Sequence, residues 1–344
     1  MKSSVEQTQT RNLKEVQLPV GDNHGKRAIY LRQFGDFTLA YGCCVQPILQ
    51  HYESQTGWIA FGRKWGFKFA LGDPVCAESN REALLGRFLD AHPRTDFVQC
   101  SSDTAACLSQ HGYYVNEMGY DTHLPLHEYN FAGKSKEKIR YAYNWLTRRD
   151  YIFFEIPDHS IDQELKTLSD AWRKTRRIKS REVVFLNRPF SIEDPAGVRK
   201  FGLRGPNGEL VAFAFFDPLF RDGKVIGYTT VIKRRHPDAP TYAETGLVKY
   251  AIEQFKSERM ELVTLGLSPL AGIENKDMKA NPILHHGWKY GFGAWWVNRF
   301  FYNLRGHSQY KNHFHGEQVK TYYCSRALFC DVRIFALLRL MRVV

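Results

Sequence analysis

Residues 209–234, ELVAFAFFDPLFRDGKVIGYTTVIKR, decide the fold class. Two runs rich in β-branched and aromatic residues, ELVAFAFFDPL and KVIGYTTVIKR, are typical of neighbouring strands. The motif RGPNGE at 204–209 resembles a hairpin turn between strands rather than a phosphate-binding loop. The stretch therefore predicts a strand meander.

Helices and further strands flank this meander. The spacing of apolar residues predicts helices over 160–176 and 241–258, and the short runs EVVFLN at 182–187 and LVTLGL at 262–267 predict strands. The first half of the chain contains a similar series, with a strand-like core in 27–42, a meander in 51–76, a helix in 80–93 and a strand after it. In each half, a helix and a strand precede a meander, and another helix and strand follow it. This order predicts an α+β fold of two units side by side.

The unit boundaries follow from these segments. We predict a flexible tail over 1–13, a first unit over 14–133 and a second unit over 134–323. The remaining residues 324–344, CSRALFCDVRIFALLRLMRVV, combine apolar residues with arginines and predict an amphipathic helix. That helix either lies in a membrane interface with its arginines on anionic headgroups or docks on the core.

Composition indicates the kind of partner. The chain has 344 residues, of which 43% are hydrophobic, and a formal net charge of +12. Such an excess favours anionic partners such as RNA, nucleotides or acidic lipid headgroups over a merely basic surface. No apolar run is long enough for a spanning helix, the N-terminus lacks the apolar core of a secretory signal, and seven cysteines occur without CxxC spacing. We therefore expect a soluble cytoplasmic protein that associates peripherally with the inner face of the membrane.

Several familiar sites are missing from the sequence. There is no GxxxxGK[ST] motif, no GxGxxG between strand and helix, and no GxSxG elbow. The motif RKFGLR at 199–204 lacks the small residue that an acetyl-CoA pyrophosphate loop needs. His313 and His315 are two residues apart, but no acidic residue or cysteine completes a ligand spacing. We expect neither a metal nor a cofactor.

Two basic helices are more informative. The segments KSKEKIRYAYNWLTRRD at 134–150 and AWRKTRRIKSRE at 171–182 combine lysine and arginine with aromatic residues. Cations at this density neutralise phosphates, and the aromatic rings can stack on bases. RNA is favoured over duplex DNA because no DNA-reading module is visible. A merely solvated basic surface remains the alternative.

Several segments, read in order, resemble the C-terminal catalytic domain of the lysylphosphatidylglycerol synthases. The resemblance spans roughly residues 65–323, and its motifs are specific as an ordered set rather than one by one. It rests on FALGDPV at 69–75, on NEMGYDTHLPLHEYNFAGKSKEKIRYAYN at 116–144, on LSDAWRKTRRIKSREVVF at 168–185, on LGLSPLAG at 265–272 and on the segment 301–323, which contains Tyr310, Lys311, Phe314 and Tyr322.

The resemblance implies two fused acetyltransferase-like (GNAT-type) units around a tunnel. Aminoacyl-tRNA would enter from one side and an anionic phospholipid such as phosphatidylglycerol from the other. The chain departs from the family pattern at Val231, where an acid is expected three residues before Arg234. We also expect a form without the membrane flippase region that precedes the domain in the family. Both departures bear on which amino acid and which acceptor are used.

The expected activity is aminoacyl transfer from a charged tRNA to a hydroxyl or amine acceptor. We expect Asp121 or Glu244 to recognise an amine or move a proton, and Arg234 and Lys311 to hold a phosphate or oxyanion. The expected tRNA face consists of Lys134, Lys138, Arg140, Arg173, Arg176 and Arg177, and the expected lipid-binding residues are Arg305, Tyr310, Arg333 and Arg339. The alternatives are an acyl-CoA-dependent N-acyltransferase on the same fold and a non-catalytic RNA- or membrane-binding module.

Overall fold

The structure, a computed structural model, describes residues 24–175, 182–193, 197–295, 297–301 and 303–344. The helices are α1 (His24–Phe34), α2 (Ala40–Val45), α3 (Arg81–Ala91), α4 (Ser102–Gln110), α5 (Glu137–Thr147), α6 (Asp162–Lys174), α7 (Ala243–Ser257), α8 (Pro282–Gly293), α9 (Leu304–Asn312) and α10 (Asp331–Leu340). The strands are β1 (Gln50–Ser54), β2 (Gly57–Lys64), β3 (Phe67–Leu71), β4 (Val75–Cys76), β5 (Asp96–Cys100), β6 (Tyr114–Pro125), β7 (Ile152–Glu155), β8 (Arg199–Arg204), β9 (Leu210–Arg221), β10 (Lys224–Arg235), β11 (Leu262–Pro269) and β12 (Glu317–Ser325).

In the described residues the strands form one mixed sheet in the order β1-β2-β3-β5-β12-β6-β11-β10-β9-β8-β7, with β4 paired to β2. The same local order occurs in each half of the chain. In the first half, an antiparallel meander that ends in β3 is followed by α3 and then by β5, which pairs in parallel with β3. In the second half, a meander that ends in β10 is followed by α7 and then by β11, which pairs in parallel with β10. The predicted α+β fold, a mixed sheet flanked by helices, is confirmed. The division at residues 133 and 134 stays a prediction.

Helices cover both faces of the sheet. On one face, which we call the α1 face, Leu31, Tyr41 and Leu337 pack with Phe220 of β9. On the other, the α7 face, Leu247 and its helix neighbours pack against alternate residues of β8, β9 and β11, and Phe314 after α9 joins the same cluster. Burial of these side chains is the main stabilising term for such a fold, at about 25 cal/mol per Å² of apolar surface.

The predicted strand-like core in 27–42 is wrong, because the structure has α1 and α2 there. Arg27, Leu31 and Phe34 are spaced as one helix face. Leu31 is fully buried, Arg27 is nearly so, and Phe34 packs on the same core. An i, i+4, i+7 pattern is the helical period, and it outweighs the aromatic and β-branched composition that favours a strand.

The predicted strand EVVFLN at 182–187 is also wrong, because these residues form irregular structure. Phe185 is buried and has a φ of 78°, which interrupts an extended strand. Its backbone N–H donates to the Gln46 side chain, and that side chain's Nε2 donates to the Phe185 carbonyl at 3.0 Å. The buried Gln46 amide thus makes the hydrogen bonds that a neighbouring strand would otherwise make with the backbone of Phe185.

The last predicted unit is divided between a strand and a helix. Residues 324 and 325 complete β12, whereas the helix α10 begins only at Asp331. In the described parts of the chain, none of the helices has the length and apolar character needed to span a bilayer. The predicted tail 1–13 lies outside the described residues.

Gly119 makes the close contact between β6 and β11 possible. Its φ is 124°, and a Cβ there would lie 2.2 Å from the carbonyl oxygen of Ser268. We expect Gly119→Ala to lower the free energy of unfolding by about 2 kcal/mol or more, because both the conformation and the contact oppose a side chain. Urea denaturation measures this. Gly86→Ala on α3 is the matched control, since a Cβ there meets nothing within 4 Å. A G119A variant as stable as wild type would contradict the expectation.

Candidate active site

The sheet opens between β10 and β11. Their parallel pairing runs only from Gly227 with Leu262 to Thr229 with Thr264, although β10 continues to Arg235 and β11 to Pro269. Gly266 in β11 has a φ of 77°, and the register against β6 shifts at the same place. Backbone groups and side chains of the diverging ends therefore border a gap in the sheet.

Lys311 lies at this gap. It belongs to α9 on the α7 face, is 6% exposed, and its Nζ donates a hydrogen bond of 2.5 Å to the carbonyl oxygen of Leu267 on β11. The Cβ position of Gly266 is 3.7 Å from the same Nζ. The ammonium group therefore occupies the edge of β11 where pairing with β10 has ended.

A second lysine, Lys233 of β10, is half-buried nearby, and its Nζ lies 3.9 Å from the centre of the Tyr310 ring. Burial, with a smaller contribution from the charge of Lys233, lowers the pKa of Lys311 to about 7 against the opposing effect of Asp121. Burial also lowers the pKa of Lys233 to about 8 against the opposing effect of Glu244. Both ammonium groups lack full solvation, so an anion bound between them would stabilise their charged forms.

Asp121 approaches the gap from the α1 face. It is 3% exposed, and its Oδ2 accepts a hydrogen bond from Thr38, which precedes α2, and lies 3.6 Å from Nε2 of His123. The Thr38 hydroxyl is also 2.9 Å from the hydroxyl of Thr264 on β11. Asp121 is paired with Leu267 in the β6–β11 ladder. The carboxylate and the Lys311 ammonium thus lie on either side of the same strand residue.

Unpaired polar atoms surround the gap. In the described part of the chain, no hydrogen-bond partner is present for Asp121 Oδ1 or for the hydroxyls of Thr229, Thr230, Ser268 and Tyr310. Buried polar groups are nearly always paired, because an unpaired one costs roughly 1–3 kcal/mol. Burial also raises the pKa of Tyr310 well above its usual value, so its hydroxyl stays protonated and can donate. These atoms are suited to a polar ligand.

The structure places Arg234 elsewhere. It points to the α1 face, where its guanidinium donates to Ser169 of α6 and to both carboxylate oxygens of Glu182 at 2.7 Å. Trp172 and Phe190 lie on it, each 4.7 Å from ring centre to guanidinium carbon. Burial lowers the pKa of Arg234, and Glu182 opposes that shift. Residues of the 168–185 motif therefore converge on Arg234, but not on Lys311.

Glu244 lies in the first turn of α7, with Oε1 3.7 Å from Nε of Arg235. Its charge acts on both Lys233 and Tyr310, which places it on the same face as Lys311. Of the four predicted catalytic residues, the structure therefore groups Asp121, Glu244 and Lys311 around the gap and separates Arg234 from them.

The predicted tRNA residues fall into three groups. Lys134 and Lys138 are exposed. Burial lowers the pKa of His313, and the charge of Lys138 lowers it further, so α5 lies near the end of α9. Arg140 donates to the carbonyls of Phe131 and Gly133 at 2.6 and 2.5 Å, and Arg173 forms an ion pair with Asp170. Arg176 and Arg177 lie outside the described residues.

The predicted lipid residues are also dispersed. Arg305 is exposed, and its guanidinium donates to the Gly293 carbonyl at 2.9 Å. Tyr310 lies at the gap. Arg333 forms an ion pair of 3.0 Å with the buried Asp96, whereas Arg339 is exposed on α10.

Lys233, Thr38 and Thr264 were not predicted. Strand alternation in VIKRR indicates that Lys233 and Arg234 face opposite sides, so the pattern contained a signal for Lys233. Thr38 and Thr264 are 226 residues apart, and only the folded chain brings them together.

Comparison with known proteins identifies relatives. The family model described as "Phosphatidylglycerol lysyltransferase, C-terminal" matches residues 27–325, which confirms the resemblance inferred from the order of motifs. A phosphatidylglycerol lysyltransferase of Bacillus subtilis (strain 168) is 25% identical over 224 residues. That alignment covers 62% of this chain and 25% of the relative, so the chain spans about a quarter of the relative's length.

Two solved structures have similar folds. The C-terminal domain (DUF2156) of a protein named as a lysylphosphatidylglycerol synthetase from Agrobacterium fabrum has a TM-score of 0.75 at 20% identity, covering 93% of this chain and 97% of that one. The structure of L-PGS from Bacillus licheniformis has a TM-score of 0.73 at 20% identity, covering 92% and 96%. At this identity the similarity establishes the fold alone.

Proposed function

Because the chain belongs to the family of phosphatidylglycerol lysyltransferase C-terminal domains, we propose that it transfers an aminoacyl group from aminoacyl-tRNA to a hydroxyl of an anionic phospholipid such as phosphatidylglycerol. The observation that carries the proposal is the gap between β10 and β11, where Lys311 and Asp121 approach one strand from opposite faces. A reaction between two bulky substrates needs separate approaches to one reacting point. The end of the β10–β11 pairing, with Lys311 on one face and Asp121 on the other, supports such an arrangement.

The chemistry needs no further energy source. The acceptor oxygen attacks the carbonyl carbon of the aminoacyl ester, and the ester bond to the terminal ribose of the tRNA breaks. The proton lost by the acceptor hydroxyl ends on the ribose oxygen that leaves. The protein must align the two groups, move this proton and stabilise the oxyanion of the tetrahedral intermediate.

The residues at the gap can take these roles. Lys311, as an ammonium, would stabilise the oxyanion or the lipid phosphate, and the protonated Tyr310 hydroxyl could donate to the same anion. Asp121 has one carboxylate oxygen available to accept the proton of the acceptor hydroxyl or to bind the substrate amine. Glu244 would balance the charge of Lys233.

Arg234 fits a positioning role in this scheme. Its guanidinium is held between Trp172 and Phe190 and fixes Glu182. Arg234 would thus fix the position of Glu182 without touching the reacting atoms.

The direct test incubates the purified chain with tRNA charged with a labelled amino acid and vesicles containing phosphatidylglycerol. We expect label in the lipid extract and a mass increase of one aminoacyl residue. Uncharged tRNA plus the free amino acid is the control, because the proposed donor is the ester. A labelled product from long-chain acyl-CoA, with none from charged tRNA, would support the acyl-CoA alternative instead.

The pH dependence of transfer follows from the pKa of Lys311, which is about 7. The ammonium form dominates below that pH, so kcat/KM is expected to fall as pH rises through about 7 and to decrease about tenfold per unit well above it. In Lys311→Arg the decline should disappear, since a guanidinium stays charged. A profile that rises through pH 7 would instead indicate that the neutral amine acts as a base.

Charge reversal tests the tRNA face. We expect Lys134→Glu with Lys138→Glu to raise KM for aminoacyl-tRNA about tenfold or more and to reduce the salt dependence of binding, because each lost phosphate contact lowers that slope. Lys276→Glu is the matched control, since Lys276 is an exposed lysine paired with Glu274 at 3.1 Å. Unchanged KM and salt slope would place the tRNA on another surface.

A further inference from the structure

The outer surface near α10 carries an unusual group of exposed apolar side chains. Phe329 is 74% exposed, Val332 63%, Trp65 53% and Phe335 48%. Trp65 comes from the turn between β2 and β3, and its ring lies 5.5 Å from that of Phe335. We call these four residues the apolar patch.

The inner side of α10 already packs on the core. Ala336, Leu337 and Leu340 are buried in the core that includes α1 and α2. A helix docked in this way normally presents polar residues outward, yet Val332 and Phe335 point to solvent. The exposed apolar side chains are therefore available to a partner, and packing of the helix does not account for them.

Basic residues surround the apolar patch. Arg339 continues the line of Val332 and Phe335 along α10, with spacings of three and four residues, and Arg342 follows just after the helix. Lys64 lines the same depression as Arg339, Arg342 and Val344. Asp331 at the start of α10 is an exposed acidic residue on this surface.

We propose that the apolar patch and these cations dock the protein onto an anionic membrane surface, with Trp65, Phe329, Val332 and Phe335 inserted among the lipids and Arg339 and Arg342 on the headgroups. RNA could bind the cations, but the exposed valine and phenylalanine side chains would contribute little to RNA binding. Insertion of apolar side chains and attraction of cations to anionic headgroups together match the composition of an interfacial helix. The inference rests on the proposed function for its choice of lipid and extends it to the membrane that holds the acceptor.

The surface is connected to the Arg234 cluster. The carbonyl of Met341, just after α10, accepts a hydrogen bond of 3.2 Å from the backbone of Val184. Two residues earlier, Glu182 holds the guanidinium of Arg234. A membrane that contacts α10 would therefore lie next to the segment containing Glu182 and Val184. That segment borders the α1 face, and Asp121 approaches the gap from the same face.

Vesicle co-sedimentation tests the proposal with phosphatidylcholine vesicles that contain or lack phosphatidylglycerol. We expect the wild-type chain to bind the anionic vesicles preferentially, and Phe329→Glu with Val332→Glu to reduce that binding about tenfold or more. Arg339→Glu with Arg342→Glu should remove the preference for phosphatidylglycerol. Ile152→Glu is the matched control, because Ile152 on the edge strand β7 is 61% exposed and far from the cations in sequence.

The transfer assay separates docking from chemistry. F329E/V332E should transfer to a short-chain, water-soluble phosphatidylglycerol as wild type does and lose transfer to vesicles. Equal binding of wild type to both vesicle types, or wild-type vesicle binding by F329E/V332E, overturns the proposal and leaves the surface for a protein partner. If the wild type transfers to neither lipid form, the proposed function fails, while the vesicle binding still decides the docking surface.

Discussion

Lys311→Met is expected to lower the rate of aminoacyl transfer about 100-fold or more, the effect seen when one preorganised group facing a developing oxyanion is removed. Methionine has nearly the length of lysine but can neither donate to the Leu267 carbonyl nor carry a charge. The change therefore removes the cation from the gap with little change in side-chain volume. Steady-state transfer with charged tRNA and vesicles measures the loss.

Stability measurements distinguish this catalytic loss from unfolding. The pKa of Lys311 is about 7 in the folded chain against 10.5 for an ordinary lysine. Between these values the unfolded chain binds more protons, so wild-type stability rises with pH across this window. The stability of K311M lacks this rise. The difference in free energy of unfolding should therefore favour K311M over wild type most near pH 7, at the low end of this range. Lys276→Met is the surface control, and transfer by K311M within a few-fold of wild type would remove Lys311 from the mechanism.

Arg188→Met is expected to lower the free energy of unfolding by about 3–5 kcal/mol, because it leaves the carboxylate of Asp217 buried without its cation. Nε of Arg188 donates to both oxygens of Asp217 at 2.8 and 2.9 Å, and the side chains are 4% and 1% exposed. Burial raises the pKa of Asp217 and Arg188 opposes that shift. Urea denaturation at neutral pH measures the change.

Two further variants show whether burial is the cause. Arg188→Met with Asp217→Leu should recover most of the stability, since an apolar pair replaces the ions. Arg221→Met removes ion pairs to Asp36 and Glu261 from a side chain that is 45% exposed, and should cost only about 0–1 kcal/mol. Equal decreases in the free energy of unfolding for R188M and R221M would mean that burial does not increase the contribution of the Arg188–Asp217 pair to stability.

The elements that were predictable are those with a strong local pattern. The runs that became β9 and β10 have strand composition throughout, and the apolar residues of α3 and α7 recur at helical spacing. The region of α1 failed because its aromatic and β-branched content favours a strand, whereas the spacing of Arg27, Leu31 and Phe34 matches a helix. Local composition competed with periodicity there, and tertiary burial decided in favour of the helix.

The candidate site was predictable only in part. Lys311 and Asp121 were identified through motifs whose order along the chain resembles a family. Their meeting depends on the β6–β11 register and on the point where β10 and β11 diverge, which no local pattern specifies. Arg234 was grouped with them because it keeps a position of the family pattern, although strand alternation places its side chain on the opposite face from Lys233.

The position of β12 has a consequence for how the chain reaches its native state. This strand comes from the end of the chain but lies between β5 and β6, which are both complete by residue 125. During synthesis, β5 and β6 must keep unpaired edges until residues 317–325 have left the ribosome. A fragment that ends before Glu317 would expose the same two edges, and we expect it to be prone to aggregation.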